Sequence, residues 1–101
     1  MIEIKHCNGC VKIEGHAGYA PPGQDIVCAA VSTLTQVFAA SIEELTKDKL
    51  KAVIQPGNAV LEYGNLTEQG QLLLDSFLHG IHMICESYPA HVRIEREVNN
   101  E

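Results

Sequence analysis

Asn8-Gly9 lies between two short segments of alternating polarity, and no other pair in the chain restricts the fold so sharply. A type I′ turn needs positive φ at both central positions, and Asn-Gly supplies this at least cost, so the flanking segments are expected to pair antiparallel. Pairing outward sets Cys7 opposite Cys10, His6 opposite Val11, Ile4 opposite Ile13 and Ile2 opposite Gly15. The apolar residues of both strands then share one face, and Glu3, Lys5, Lys12 and Glu14 share the other. A slip of one residue would turn the whole apolar set to solvent, so the pattern itself fixes the register. His16 follows at the strand end, on the polar face if the extended geometry continues that far.

A loop with Gly18, Pro21, Pro22 and Gly23 leads to Asp25, a good N-cap, and to a helix from Ile26 to about Leu45. Apolar or small residues at Ile26, Ala29, Ala30, Thr33, Val37, Ala40 and Leu45 fall near helical spacing and predict its packing face. After a connector, Thr46 to Lys49, a second hairpin turns at Gln55-Pro56-Gly57-Asn58. It sets Lys51 opposite Glu62 and Val53 opposite Val60, with Leu50, Ala52, Ile54, Ala59, Leu61 and Tyr63 on one apolar face. A second helix runs from about Thr67 to Tyr88, started by Asn65 or Thr67. Its buried stripe is Leu73, Leu74, Phe77, Leu78, Ile81, Ile84, Cys85 and Tyr88, and Pro89 prevents its continuation. His91 to Val98 alternates as a last strand. The order is ββαββαβ, an α+β two-layer domain over residues 1–98 with two helices packed on one sheet, and a frayed tail at 99–101. The order of strands within the sheet cannot be read from the sequence.

Charge and cysteine usage narrow the partners. Thirteen acidic residues against seven basic give a formal charge of −6. That argues against direct binding of nucleic acid, which needs a Lys/Arg footprint, and suits a basic protein segment. The longest unbroken apolar run, Ile26 to Val31, is too short to span a bilayer, and the first residues show no signal-peptide core. A cytoplasmic location with no membrane partner is expected, and with it four reduced cysteines.

Chemistry concentrates between Gly15 and Ser32. Cys28 falls in the first turn of the first helix, where unpaired N–H groups and the dipole stabilise a negative sulfur. His16 could return across the loop as its base. The plainer reading, from spacing alone, is a small buried cysteine and a surface histidine. Asp25 is either an N-cap bonded to Val27 or Cys28, or a helper that orients His16. Ser32, one turn on, either donates to the sulfur or bonds back to the Cys28 carbonyl. Backbone N–H groups at the helix start or in the glycine loop are natural oxyanion donors.

Other constellations carry less. Cys7-Asn8-Gly9-Cys10 has CxxC spacing, but on a hairpin turn rather than a helix start, and no second ligand pair follows at zinc spacing. His79 and His82 are expected on the solvent flank of the second helix, so no metal is assigned. Gly18 to Gly23 imitates a phosphate loop, but Gln24-Asp25 stands where Lys-Ser/Thr is required. No cofactor is implied.

The run Gly15-His16-Ala17-Gly18-Tyr19-Ala20, then Gly23-x-Asp25-Ile26-Val27-Cys28-Ala29-Ala30-Val31-Ser32, resembles the signature of the ribosomal-processing cysteine protease family, Prp. The resemblance implies a cysteine endopeptidase with His16 and Cys28 as the catalytic dyad. Asp25 and Ser32 support them, and a loop with Gly15, Gly18, Tyr19 and Gly23 orders over substrate. It implies a small homodimer that removes an N-terminal extension from a large-subunit ribosomal protein; phage relatives are expected to trim capsid or scaffold proteins. Pro21-Pro22 stiffens the segment that such a gate would use. From the residues alone, a non-catalytic dimeric binding module and a thiol or metal switch at Cys7 and Cys10 stay open beside the protease.

Overall fold

The first hairpin forms in the expected register, Ile4 opposite Ile13, His6 opposite Val11 and Cys7 opposite Cys10. The computed structural model describes residues 1–96, so positions 97–98 of the expected last strand and the tail at 99–101 lie outside the described residues. The elements are β1 (Ile2–Cys7), β2 (Cys10–Glu14), α1 (Ile26–Leu45), β3 (Leu50–Gln55), β4 (Asn58–Tyr63), α2 (Glu68–Ser87) and β5 (Val92–Arg96). Two details of the hairpin correct the sequence reading. Gly9 alone takes positive φ, at 83°, so the turn has a type II pattern rather than I′: Asn8 need not enter the left-handed region when the glycine can do so. The sulfurs of Cys7 and Cys10, expected apart and reduced, are set against each other. Facing each other across a two-residue turn, their Cα atoms are 5.3 Å apart, within bridging range.

The sheet order is β3-β4-β2-β1-β5, with β5 parallel to β1 and every other pair antiparallel. Hence β2-α1-β3 and β4-α2-β5 are crossovers between parallel strands. They start from antiparallel neighbours and run in opposite lateral directions. With both crossovers of the usual hand, α1 and α2 fall on the same face, which gives the two layers. Ile4, Val11 and Leu61 of the sheet, Val27 and Ile42 of α1 and Ile81 of α2 are all 0% exposed. Between the helices Phe38 stacks on Phe77, with ring centroids 5.0 Å apart. Gly80 lets them close: a Cβ there would lie 2.9 Å from Leu34 Cδ1.

The face of α1 is the largest correction. Val27, Val31, Thr35, Phe38 and Ile42 point inward, and Thr35 is buried at no polar cost because its hydroxyl donates to the Val31 carbonyl at 2.8 Å. The expected stripe points outward instead, leaving Ile26 and Val37 56% exposed and Leu45 70% exposed. The helix is apolar all round, with a mean hydropathy of 1.5, as high as a membrane span, so periodicity cannot choose between its two faces. The second hairpin keeps its register, Lys51 opposite Glu62 and Val53 opposite Val60. Ala59 and Leu61 are buried as expected, but Ala52 and Ile54 are exposed because β3 is the edge strand. In α2, Thr67 is the N-cap and the expected stripe faces the core.

Candidate active site

The site forms at the end of the sheet opposite Asn8-Gly9. There β2 ends, the β3–β4 turn closes, and β1 and β5 begin. Backbone bonds lash these pieces together: Gly15 N–H donates to the Gly57 carbonyl and Ile2 N–H to the His91 carbonyl, both at 2.9 Å. Gly57 has φ of 74°, and its Cα faces the His16 ring so closely that a Cβ would lie 2.7 Å from Nε2. The turn therefore forms a wall behind His16, whose own residue is exposed.

Asp25 settles between its two expected roles as the N-cap. Its Oδ1 accepts from the N–H groups of Val27 at 3.0 Å and Cys28 at 2.9 Å. Oδ2 accepts from Tyr19 at 3.0 Å and Ala20 at 3.4 Å, which ties the glycine loop to the helix start. Among the described residues it makes no bond to His16. These donors, the Cys28 N–H foremost, hold the Asp25 carboxyl below its ordinary pKa. Of the helix-start and glycine-loop amides expected as oxyanion donors, those of Val27, Cys28, Tyr19 and Ala20 are thus already taken by a carboxylate. Ser32 makes neither expected bond among the described residues; its hydroxyl oxygen accepts from Gln36 Nε2 at 2.9 Å.

Cys28 is half-buried in the first turn of α1, and the Ala17 N–H donates to its Sγ at 3.3 Å. Ala17 is only 2% exposed. Its carbonyl lies 2.9 Å from His91 Nδ1. Tyr19 packs its ring edge-on against Tyr88 and His91, with centroids 5.4 and 5.3 Å away. The first half of the loop is thus pinned. Residues 21–24, with Gly23 at φ of 87°, form an exposed second half that closes on itself through Gln24 N–H to the Pro21 carbonyl. Ala17, Gly57 and His91 were missed in the sequence: a glycine in a turn and a histidine before a strand carry no signal of what they will touch.

His16, Cys28 and Ser32 line two depressions in common. One, of about 230 Å³, lies between α1 and the β3–β4 turn and is mostly apolar, with Ile2, Ile13, Val31 and Ile54 in its wall. The other, an open groove of about 760 Å³, runs under Gly18, Ala20, Pro22 and Gly23 to Ile26 and Ala29. A half-buried thiol with an N–H on its sulfur, an imidazole on the same lining and a groove to either side can seat an extended peptide across the sulfur. No group of three metal-ligating side chains occurs among the described residues.

Over 107 aligned residues the chain is 30% identical to the ribosomal processing cysteine protease Prp of Mycoplasma genitalium, covering 96% of this chain and 97% of that protein. The crystal structure of SMU.848 from Streptococcus mutans is 30% identical, with a TM-score of 0.84 over 98% of this chain and 96% of that one. The fold is also that of the essential ribosomal processing protease Prp from S. aureus, solved with a covalently linked product peptide. There the TM-score is 0.91 at 24% identity over 96% of this chain and all of that one. Residues 1–93 match the family described as Cysteine protease Prp, and the chain belongs to that family of cysteine proteases.

Proposed function

We propose that this cysteine protease uses Cys28 as nucleophile and His16 as general base and acid. The observation that carries this reading is that both residues line both depressions, with the Ala17 N–H already resting on the Cys28 sulfur. His16 takes the thiol proton as Sγ attacks the scissile carbonyl, then returns it to the leaving amine; water later releases the acyl group from sulfur. An unperturbed cysteine is about 3% thiolate at pH 7, so complete ionisation gains only about 30-fold of the at least ~10⁶-fold a peptidase supplies. Holding the peptide in register along the two depressions has to contribute much of the remainder. Asp25 acts by fixing the loop to the helix start, not by touching His16.

The substrate we propose is the N-terminal extension of a large-subunit ribosomal protein. The named relatives from M. genitalium and S. aureus are ribosomal processing proteases, and a net charge of −6 favours a basic chain. Such a substrate implies action in the cytoplasm. Incubating the extended ribosomal protein with wild type and with Cys28→Ala, followed by intact-mass analysis, tests this. A single truncation by wild type alone is expected; truncation by both refutes the nucleophile, and truncation by neither refutes the substrate. A homodimer is part of the proposal. It is supported by the outward apolar face of α1, where Ile26, Val37 and Leu45 stand uncovered in the single chain.

A further inference from the structure

Ala17 has both backbone groups committed although it belongs to a loop. Its N–H donates to Cys28 Sγ at 3.3 Å and its carbonyl lies 2.9 Å from His91 Nδ1, 74 residues along the chain. A carbonyl can only accept, so His91 carries its proton on Nδ1 and is the donor. His91 is itself fixed. Its N–H donates to the Tyr88 carbonyl at 2.9 Å where α2 ends, its carbonyl accepts from Ile2 where β1 begins, and its ring meets the edge of Tyr19. The C-terminal end of the core thus reaches the sulfur through one residue.

We propose that His91 is a positioning residue for Cys28, its Nδ1–H holding the Ala17 carbonyl so that the Ala17 N–H stays on Sγ. This rests on Cys28 being the nucleophile, but it concerns a histidine other than His16, in a different place and role. The Ala17 carbonyl and N–H belong to the two peptide units that meet at its Cα, so losing the bond from His91 frees that Cα on one side and lets the preceding unit, which carries the N–H, turn off the sulfur. A hydrogen bond to a charged acceptor is stronger than one to a neutral acceptor, so the lost donor serves the reactive form of the sulfur most. The intrinsic nucleophilicity of a less stabilised thiolate rises in partial compensation. The net fall in Cys28 reactivity is therefore modest, about threefold.

The test is the rate of carbamidomethylation by iodoacetamide at pH 7, followed by peptide mass at Cys28 with Cys85 as internal reference, in the whole chain. Two variants separate donor from shape. His91→Asn keeps an N–H donor at the position of Nδ1 but loses the ring; His91→Phe keeps a ring for Tyr19 and loses the donor. Slowing at Cys28 in His91→Phe, wild-type rate in His91→Asn and an unchanged Cys85 are expected. A wild-type rate in His91→Phe overturns the proposal, as does a His91→Asn as slow as His91→Phe, which would make ring packing the cause. Acceleration at Cys85 in His91→Phe would assign His91 to holding the fold shut, and overturns it too. Because this readout needs no substrate, it is independent of peptidase activity in Cys28→Ala, the result that would remove the nucleophile reading itself.

Discussion

Gly57→Ala should damage the reaction far more than the fold. A Cβ at this position would lie 2.7 Å from His16 Nε2, 3.1 Å from Cε1 and 3.5 Å from Cδ2. Non-bonded heavy atoms settle near roughly 3.5 Å, so the ring must retreat by about 0.8 Å. A misplacement of about 1 Å at a reacting group can cost ~10²-fold, and His16 is the proposed proton carrier, so kcat should fall by about 30- to 100-fold. The backbone adds its own penalty. With φ at 74°, an L side chain costs about 1–2 kcal/mol, and the stiffer unfolded chain returns somewhat less than 1 kcal/mol of it. The melting temperature should drop by roughly 4–8 °C for each kcal/mol lost. Gly9→Ala is the control, since Gly9 has φ of 83° but sits at the other end of the sheet, where a Cβ would meet the Tyr63 carbonyl oxygen at 3.1 Å. Steady-state kinetics on an extended ribosomal-protein substrate, alongside thermal melts, should show both variants destabilised and only Gly57→Ala slowed in kcat. Wild-type kcat in Gly57→Ala, or an equal loss in Gly9→Ala, would refute the argument that the turn holds the ring in place.

Three further outcomes follow from other parts of the molecule. Near pH 7, iodoacetamide should modify Cys28 well before Cys85, whose thiol burial pushes up; comparable rates by peptide mass would remove any special reactivity from the helix start. The Asp25 carboxyl is held low in the folded state, so its contribution is present above the unfolded aspartate value and fades as pH falls through that value to the folded one. Asp25→Asn should therefore lower stability at neutral pH and flatten the acid limb of a denaturation series. Glu3, held low by its bond to Arg93, keeps part of the slope, and an acid limb unchanged in Asp25→Asn would show that the cap adds nothing. Val37→Glu, on the outward face of α1 and far from the core stripe, should leave the monomer folded but abolish self-association in sedimentation equilibrium. An unchanged mass would refute this face as the contact of the proposed homodimer.

What the sequence disclosed and what it withheld divide along physical lines. Both hairpin registers were legible because a period of two leaves one arrangement in which Ile4 meets Ile13 and Lys51 meets Glu62; any slip exposes the apolar set. The inward face of α2 was legible because Asp75, His79, His82 and Glu86 mark its other side. In α1 that contrast is missing. Charge first appears at Glu43, so Val27-Val31-Thr35-Phe38-Ile42 and Ile26-Ala29-Thr33-Val37-Ala40 are equally plausible stripes, and only a sheet and a second helix decide between them. The same ambiguity is what leaves an apolar face outside, so the feature that defeated the periodicity is also the one that argues for a second copy.

The site shows a similar split. Its near half, His16 to Cys28, is local in sequence and carried by residue types whose chemistry is specific, so the signature and the N-cap were visible before any fold. Its far half comes from turns 40 to 75 residues downstream, in which the useful group is a carbonyl at Gly57, a missing Cβ, or a ring nitrogen of His91. These meet His16 and Ala17 because the two crossovers return β3–β4 and β5 to the end of the sheet where β2 stops. The sheet order that the sequence could not give is therefore the fact on which the rest of the site depends. A change that shifts the register of β4 against β2 by two residues, which keeps Ala59 and Leu61 on the buried face, would carry Gly57 off His16 and unlatch the Gly15 N–H while leaving every residue of the signature in place. Such a variant should bind iodoacetamide at Cys28 and yet cleave poorly, a separation that a site built only from the signature would not produce.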